Sequence, residues 1–381
     1  MTQSQQQPQP QPQPHPQPWT TEEARQDTSW VQRLSAEEVA GFDAALAHAR
    51  VLNKPWLAMT RDDFPLTAAA QGALARALAT TQGRWGLCLR KGVPVDRWSE
   101  DEAKLAYWGM GLHLGVARTQ NPASHVMNDV RDAGAVYKGK NGRGYNTNAG
   151  LDFHMDSADV VALLCRRTAK TGGESLVAST IAVAQELQRQ RPDLYAALQQ
   201  PFFHHYQGSQ DPVQPLYYAC PVIGSDPAHF TMRVNRKNIV AAQNEFPEVP
   251  RVTPLQWEAL DLLESLMADP RWCFRMQLEQ GDMQLVNNYV IVHSRTPFED
   301  FEDTDRKRHL LRLWLAVPGS QPLPADWAEY FIDTRSGSVR GGLRGSQITP
   351  EFTAFEARQA ARLGMLHKPW APLRRRETVA A

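Results

Sequence analysis

The amino-acid sequence predicts a mixed α+β fold with a barrel or jelly-roll core and helices inserted between its strands. Two observations lead to this prediction. The N-terminal third carries helical patterns, whereas short apolar segments with strand character dominate after residue 154. Further helical segments then interrupt the series of strands. At about 150 residues per domain the 381 residues would allow two or three domains, but this order of elements favours one enlarged domain.

The helical N-terminal region is predicted from periodicity and from capping residues. Residues 66–80 are rich in Ala and Leu at helical spacing, and residues 83–90 follow as a strand after a turn. Ser99 and Glu102 form a capping box, in which each side chain accepts a hydrogen bond from the backbone of the other residue. This box predicts a helix that runs to about Leu114.

The rest of the chain alternates between short strands and helices. Strands are predicted from apolar, β-branched or aromatic runs at residues 159–165, 176–179, 202–206, 216–223, 230–234 and 308–317. Helices are predicted from their spacing and from early prolines at residues 181–190, 192–199 and 253–267. A hairpin is predicted from two runs that flank a turn at residues 280–282, namely residues 273–278 and 283–293.

The ends of the chain differ in composition from the middle. Residues 1–18 consist almost entirely of Gln and Pro, which favour an extended polyproline II conformation that does not pack. We therefore expect a disordered tail over residues 1–18, a single domain over residues 19–370 and a C-terminal tail over residues 371–381.

Composition and charge exclude several classes of function. Lys plus Arg and Asp plus Glu number 41 each, and the resulting zero net charge argues against a general nucleic-acid-binding protein. No apolar run approaches the roughly 18 residues that span a bilayer. The four cysteines form no C-x-x-C pair, which argues against a zinc finger. Without a secretory signal pattern, we expect a cytoplasmic protein whose partners include neither nucleic acid nor membrane.

The triplet His154-Met155-Asp156 is a candidate metal motif. With 11 His and 41 acidic residues in the chain, about one His-x-acidic triplet is expected by chance, so the pattern gains weight only from its surroundings. A predicted strand follows at residues 159–165, and on an extended backbone residues i and i+2 point to the same side. His154 and Asp156 could then converge on one metal ion.

His293 is the best candidate for a third ligand. It ends a run of β-branched residues just before a loop, where a side chain can face a cavity. Two His and one carboxylate make the facial triad of non-haem Fe(II) oxygenases, which leaves positions open for an organic acid and O2. The alternative interpretation is a structural histidine at the end of a strand.

Arg308 and Arg312 form a candidate site for an organic acid. They lie four residues apart on a predicted strand, so both guanidinium groups share one face. A buried arginine is costly unless paired because it stays charged, and a carboxylate can satisfy it through two hydrogen bonds. The alternative for each residue is a structural ion pair with Asp or Glu.

Taken in order, these motifs resemble the taurine dioxygenase/TfdA family of Fe(II)- and 2-oxoglutarate-dependent oxygenases. Six segments carry the resemblance: residues 83–94, Leu114-Gly115 to Val130, Phe153-His154-Met155-Asp156, Gly172-Gly173-Glu174-Ser175, residues 281–295 and residues 308–312. An ordered set of this kind is far more specific than any one member. The segment between His293 and Arg308 is longer here than in the taurine enzyme, so taurine specificity is not expected.

The resemblance implies a double-stranded β-helix core of the jelly-roll or cupin type. It implies Fe(II) bound by His154, Asp156 and His293, and 2-oxoglutarate bound by Arg308 and the Ser175 hydroxyl, with O2 as the oxidant. It also places four residues near the substrate: Gln120, Asn148, Asn288 and Arg312. Arg312 corresponds to a position that often contacts an acidic group of the substrate in this family. The implied reaction oxidises a small molecule and releases succinate and CO2.

The presence of Asp156 argues against halogenation, because halogenases of the family lack this carboxylate. Hydroxylation is the simplest outcome, and desaturation and cyclisation stay open. Two other functions are compatible with the same residues: a zinc-dependent hydrolase on a cupin-like barrel, and a non-catalytic binding protein of the same fold. The sequence also leaves open whether the substrate is acidic and whether the protein is a homo-oligomer.

Overall fold

Two β-sheets form the centre of the protein, which is described here from a computed structural model. The structure describes residues 15–137, 144–208, 210, 214–344 and 348–369. The predicted C-terminal tail and residues 1–14 of the predicted N-terminal tail lie outside the described residues, so these domain boundaries stay predictions. At the inner end of the N-terminal tail, the backbone N–H of Gln17 donates to the carbonyl of Arg84 at 2.8 Å, so this end contacts the domain.

The described strands are short. In chain order they are β1 Val31–Arg33, β2 Leu87–Lys91, β3 Val116–Ala117, β4 Met127–Val130, β5 Leu151–His154, β6 Val160–Arg167, β7 Thr171–Gly172, β8 Ser175–Ser179, β9 Pro201–His205, β10 Tyr217–Pro221, β11 Cys273–Met276, β12 Met283–Asn287, β13 Ile291–Arg295, β14 Phe298–Glu299 and β15 His309–Ala316.

The described helices precede, interrupt and follow the strands. In chain order they are α1 Thr21–Gln26, α2 Ala36–Leu52, α3 Ala68–Gln82, α4 Glu100–Leu114, α5 Thr180–Gln190, α6 Pro192–Leu198, α7 Arg236–Glu245, α8 Pro254–Ala268, α9 Ala328–Phe331 and α10 Pro350–Arg362. The capping box of Ser99 and Glu102 is present at the start of α4, which confirms that prediction. A second capping box, of Thr253 and Gln256, begins α8.

The strands form one large and one small main sheet. The large sheet has the order β1-β2-β12-β6-β15-β3, with β4 also paired to β15, and the small sheet has the order β11-β8-β13-β5. Only β1 and β2 run parallel among these pairs. The predicted mixed α+β jelly-roll core is confirmed, and within the described residues it is an open arrangement of two sheets, not a closed barrel.

Alternation along single strands shows how the layers are stacked. On β6, Val160 and Ala162 pack in a core with α2, α3 and α4, whereas Val161 packs in a second core that also contains Val177 and Ile291 of the small sheet. Because successive side chains on a strand point to opposite faces, the second core lies between the two sheets. A third core, with Val292, lies between the small sheet and helices α5, α6 and α8.

The predicted hairpin between residues 273–278 and 283–293 is wrong. Strand β11 pairs with β8 in the small sheet, whereas β12 pairs with β2 and β6 in the large sheet. The intervening turn bonds elsewhere: the carbonyl of Gly281 accepts from Val93, and its N–H donates to Cys165. The second predicted run also divides at residues 288–290, so that β12 and β13 belong to different sheets.

The predicted strand at residues 230–234 forms only a single bridge, between Met232 and Ile223. Its backbone groups bond to three different segments instead of one neighbouring strand. Met232 donates to Tyr289, Arg233 donates to Val222, and the carbonyl of Val234 accepts from Met155. This segment therefore ties together elements around the small sheet. Among the described residues, no helix is both long enough and apolar enough to cross a membrane.

Candidate metal centre and cosubstrate pocket

His154, Asp156 and His293 meet at one end of the small sheet. His154 ends β5, and it lies directly opposite His293 on the antiparallel strand β13. The Nε2 atom of His154 is 3.8 Å from Oδ1 of Asp156, and Nε2 of His293 is 3.7 Å from Oδ2 of Asp156. One ligand atom from each residue thus lies within 4.8 Å of the other two. This spacing allows all three atoms to contact one metal ion.

Asp156 lies just beyond β5, and its backbone is held by Asn288. The Asn288 side chain accepts from the Asp156 N–H at 3.1 Å, and its amide group donates to the carbonyls of Asp156 and Ala158. All polar atoms of this side chain are therefore used on the backbone behind the metal motif. Asn288, predicted to lie near the substrate, does not line the cavity.

The imidazole of His154 is oriented for metal binding. Nδ1 of His154 is 2.9 Å from the carbonyl of Asp152, so it carries the proton, and the lone pair is on Nε2. Burial, followed by the neighbouring His293, lowers the pKa of His154 to about 4, so the ring is neutral at pH 7. A neutral imidazole is the form that coordinates a metal.

Asp156 stays ionised despite its burial. Burial alone would raise the pKa of this carboxyl group, but Arg312 and the two histidines outweigh it and hold the pKa well below its usual range. Nη1 of Arg312 lies 3.2 Å from Oδ2 of Asp156, and Nε1 of Trp314 donates to the same oxygen at 2.9 Å. Two imidazoles and one carboxylate fit a divalent iron ion in the facial-triad arrangement.

Arg308 is buried beside this centre with an unsatisfied donor. Its side chain is 5% exposed, and Nη1 has no hydrogen-bond partner among the described residues. The guanidinium carbon lies 4.9 Å from the ring centroid of Phe298, and a Cβ atom on Gly173 would come within 2.9 Å of Nε. Gly173 therefore allows the close approach. An organic carboxylate would satisfy this group, as predicted for 2-oxoglutarate.

Ser175 and Gln284 line the same cavity as Arg308. The Ser175 hydroxyl and the Gln284 amide are hydrogen-bonded to each other, at 3.0 to 3.2 Å. Ser175 begins β8 and Gln284 lies on β12, so this pair links the small sheet to the large one. The predicted role of Ser175 beside Arg308 stays a prediction, and sequence reasoning missed Gln284.

The remaining predicted substrate residues are placed differently from one another. Gln120 lines the cavity, and its Oε1 accepts from Nε of Arg312 at 2.8 Å. Arg312 also lines the cavity, but its guanidinium is bonded to Gln120 and Asp156. This arrangement matches the alternative interpretation of Arg312 as a partner in a structural ion pair. Asn148 is exposed and is not among the residues that line the cavity, and its backbone carbonyl accepts from the N–H of Phe298.

The cavity between the sheets measures about 200 Å³, and it contains all three candidate metal ligands. This volume suits a small molecule. Sequence reasoning missed several of the residues that line it, chiefly basic and aromatic ones: Arg233, Arg295, Tyr206, Tyr218, Tyr330 and Leu343. For Arg233 a signal exists, since it is the single charge within the apolar run of residues 230–234.

The segment around Gly341 lies against the metal motif. The N–H of Gly342 donates to the carbonyl of Ser157 at 2.7 Å, one residue after Asp156. Gly341 has a φ of +73°, and a Cβ atom there would lie 2.6 Å from the same carbonyl. Only glycine fits at this close contact, which brings Leu343 to the cavity wall.

A second group of acidic and histidine side chains, Glu100, Asp129 and His309, also lies close together. Basic side chains already neutralise it. Lys104 pairs with both carboxylates, and Arg166 pairs with Glu100 and contacts Nδ1 of His309 at 2.8 Å. This group is therefore a structural charge network.

Comparisons with known proteins agree with this geometry. The family model of the taurine catabolism dioxygenase TauD, TfdA family, matches residues 50–314. The FR-33289 synthase of Streptomyces rubellomurinus is 34% identical over 274 residues, which cover 70% of this chain and 79% of the relative.

Two solved structures share the fold. An asparagine oxygenase in complex with Fe(II), a hydroxyasparagine and succinate is 19% identical with a TM-score of 0.54, covering 75% of this chain and 93% of that one. The non-heme iron oxygenase OrfP in complex with Fe and alpha-ketoglutaric acid is 16% identical with a TM-score of 0.55 and the same coverage. The family model and the synthase together establish that this chain belongs to the TauD/TfdA family of dioxygenases.

Proposed function

We propose that this protein hydroxylates a small molecule, with His154, Asp156 and His293 as the ligands of Fe(II) and with Arg308 and Ser175 as the residues that bind 2-oxoglutarate. Membership of the family makes it an Fe(II)- and 2-oxoglutarate-dependent oxygenase. The observation that carries the residue assignment is the convergence of the three ligand atoms in the same cavity as a buried, unsatisfied Arg308.

When bound, Fe(II) supplies the activation of O2 that is coupled to the oxidative decarboxylation of 2-oxoglutarate to succinate and CO2. The chain's own residues provide position and environment. Arg308 supplies a fixed positive charge for one carboxylate of 2-oxoglutarate, and the Ser175 hydroxyl can donate to the same carboxylate. No side chain needs to act as a general acid or base in this scheme.

Apolar side chains lie beside the metal motif, where a bound substrate would displace water. Met155 is buried between the two ligands of the motif, and Leu343 and Trp314 line the cavity. Low water content strengthens the pairing of Arg308 with a carboxylate and limits side reactions of the oxidant. Family membership and the unsatisfied Arg308 favour this function over the zinc hydrolase and the binding protein.

Anaerobic addition of Fe(II) and 2-oxoglutarate tests the assignment directly. We expect a visible charge-transfer band for the wild-type protein and succinate release once O2 is admitted. H154A should lose both signals, because it removes one of three ligands. His48, an exposed residue on α2, provides the matched control, and H48A should behave as wild type. A wild-type protein with neither band nor succinate, or an active H154A, would refute the assignment.

A further inference from the structure

Arg233 is a buried cation that the reaction scheme above does not use. Its side chain is 2% exposed, and it lines the same cavity as the metal ligands. Nε and Nη1 have no hydrogen-bond partner among the described residues, and no carboxylate in that part of the chain forms an ion pair with it. A charged group this deep is costly unless something completes its hydrogen bonds.

Aromatic residues flank this guanidinium, and Tyr330 also hydrogen-bonds it, but Nε and Nη1 stay without a partner among the described residues. The guanidinium carbon lies 4.0 Å from the ring centroid of Tyr330 and 5.2 Å from that of Tyr218. Tyr206, whose ring lies 4.5 Å from that of Tyr218, also lines the cavity. The rings of Tyr218 and Tyr330 stack on each other with centroids 4.4 Å apart, so their cation–π contacts stabilise the charge from one side. The donors of Nε and Nη1 lie in the plane of the guanidinium. An anion is the partner that suits them.

The backbone fixes Arg233 relative to the metal centre. The N–H of Arg233 donates to Val222 at 2.8 Å, and the carbonyl of the next residue, Val234, accepts from Met155 at 3.0 Å. Met155 lies between the ligands His154 and Asp156. A ligand group bound to Arg233 would therefore be held at a defined position relative to the metal.

The other arginines of the cavity either have partners already or lie beside Arg308. Arg312 is engaged by Asp156 and Gln120, and Arg236 pairs with Asp261 and Glu264. Arg295 donates to two backbone carbonyls through Nη2, and although its Nε and Nη1 also lack partners among the described residues, it shares the ring of Phe298 with Arg308. Arg233 is thus the arginine best placed to bind a second anion away from Arg308.

We propose that Arg233 is an anion-binding subsite for the substrate, so that the substrate carries a carboxylate, sulfonate or phosphonate group. The group pairs with the free donors of the guanidinium, beside the stacked rings of Tyr218 and Tyr330. The rest of the molecule extends along the cavity toward the metal ligands. That the bound anion is part of the substrate rests on the proposed function. Anion binding itself can be measured without turnover.

The test measures binding of simple anions to the anaerobic Fe(II) protein saturated with 2-oxoglutarate, which fills the Arg308 site. The probes are butyrate, 1-propanesulfonate and propylphosphonate, with 1-butanol as a neutral match, and binding is followed by calorimetry. We expect at least one anion to bind at least tenfold more tightly than 1-butanol. The anion that binds best then identifies whether a planar or a tetrahedral group fits.

R233Q should weaken that anion at least tenfold and leave the 2-oxoglutarate band unchanged. The matched control is R236Q, which removes a guanidinium at the same cavity that is already neutralised, and it should bind the anion within twofold of wild type. If R233Q loses the band through misfolding, R233M replaces it, since an apolar side chain suits the aromatic surroundings. Anion affinity equal to wild type in a variant with an intact band overturns the proposal, as does the absence of any anion binding.

The two proposals fail in different ways. A wild-type protein without a 2-oxoglutarate band contradicts the proposed function. In that case the same titration on metal-free R308Q, which lacks the other candidate anion site, still tests Arg233. Anion binding there that R233Q abolishes supports the subsite, and binding unaffected by R233Q refutes it.

Discussion

Nη1 of Arg312 lies 3.2 Å from Oδ2 of Asp156, so the carboxylate of the metal motif is also half of a buried ion pair. Trp314 donates to the same oxygen at 2.9 Å, and both bonds leave Oδ1 with more capacity to bind a metal. Groups that bond to a metal ligand orient it and tune its basicity. Arg312 is therefore placed to hold Asp156 in position, whereas the resemblance alone implied contact with the substrate.

Replacing Arg312 tests which of these roles dominates. We expect R312Q to weaken Fe(II) affinity about 10- to 100-fold, because Asp156 loses its charged partner and its fixed orientation. Competition with a chromophoric chelator measures this affinity in the anaerobic protein. W314F removes only one neutral hydrogen bond from the same oxygen and should have a smaller effect. Unchanged metal affinity in R312Q, with a raised KM for substrate alone, would instead support the role in substrate binding.

Arg308 should determine affinity for 2-oxoglutarate and little else. R308Q removes a buried charge-assisted pair, which is worth about 1.5–3 kcal/mol, so the Kd for 2-oxoglutarate should rise about 10- to 100-fold. R308K keeps the charge but not the planar group and should fall between R308Q and wild type. Titration of the visible band at fixed Fe(II) provides the Kd. Fe(II) affinity in the absence of 2-oxoglutarate should stay within twofold of wild type, and a large loss there would contradict this assignment.

The sequence predicted the candidate site better than it predicted the sheet pairing. His154 and Asp156 are local in the chain, and Arg308 stands out as a charge next to an apolar strand, so their spacing and environment are visible in one dimension. The same reasoning applied to residues 230–234 would have pointed to Arg233. In that segment, as in residues 308–317, a charged side chain in an apolar run needs a partner that neutralises it.

Other features depend on contacts between distant segments. The assignment of β11 and β12 to different sheets follows from the bonds that Gly281 makes to Val93 and Cys165, and no local pattern encodes them. Asn288 bonds to the backbone of Asp156 across 132 residues of sequence, so its structural role was not visible either. The role of Gly341 beside Ser157 likewise requires the folded chain.

Gly341 should be intolerant of a side chain. In G341A the added Cβ would meet the backbone carbonyl of Ser157 in a left-handed conformation, which should lower the free energy of unfolding by about 2–4 kcal/mol. Gly134 is a matched control, because it has a φ of +77° with nothing within 4 Å, so G134A should cost only roughly 1 kcal/mol. Chemical denaturation measures both. Equal losses in the two variants would show that contact with Ser157 is unimportant.

Glu356 on α10 should make stability depend on pH in the acid range. Burial alone would raise the pKa of this carboxyl group, but Arg118 and His367 lower it to about 2. Because the pKa in the folded state is below the usual value of 4.5, ionised Glu356 stabilises the fold above about pH 4.5. This contribution, on the order of 3 kcal/mol, is lost as the pH falls from about 4.5 toward 2.

The consequence reaches the cavity, because Arg118 also donates to the carbonyl of Gly341, next to the metal motif. We expect wild type to lose stability steeply between pH 5 and pH 3, and E356Q, which cannot ionise, to be less stable at pH 7 but to show a flatter profile. Denaturant unfolding across this range measures both curves. E248Q, a change at an exposed glutamate outside this network, should follow wild type. Parallel curves for wild type and E356Q would mean that Glu356 does not produce the acid sensitivity.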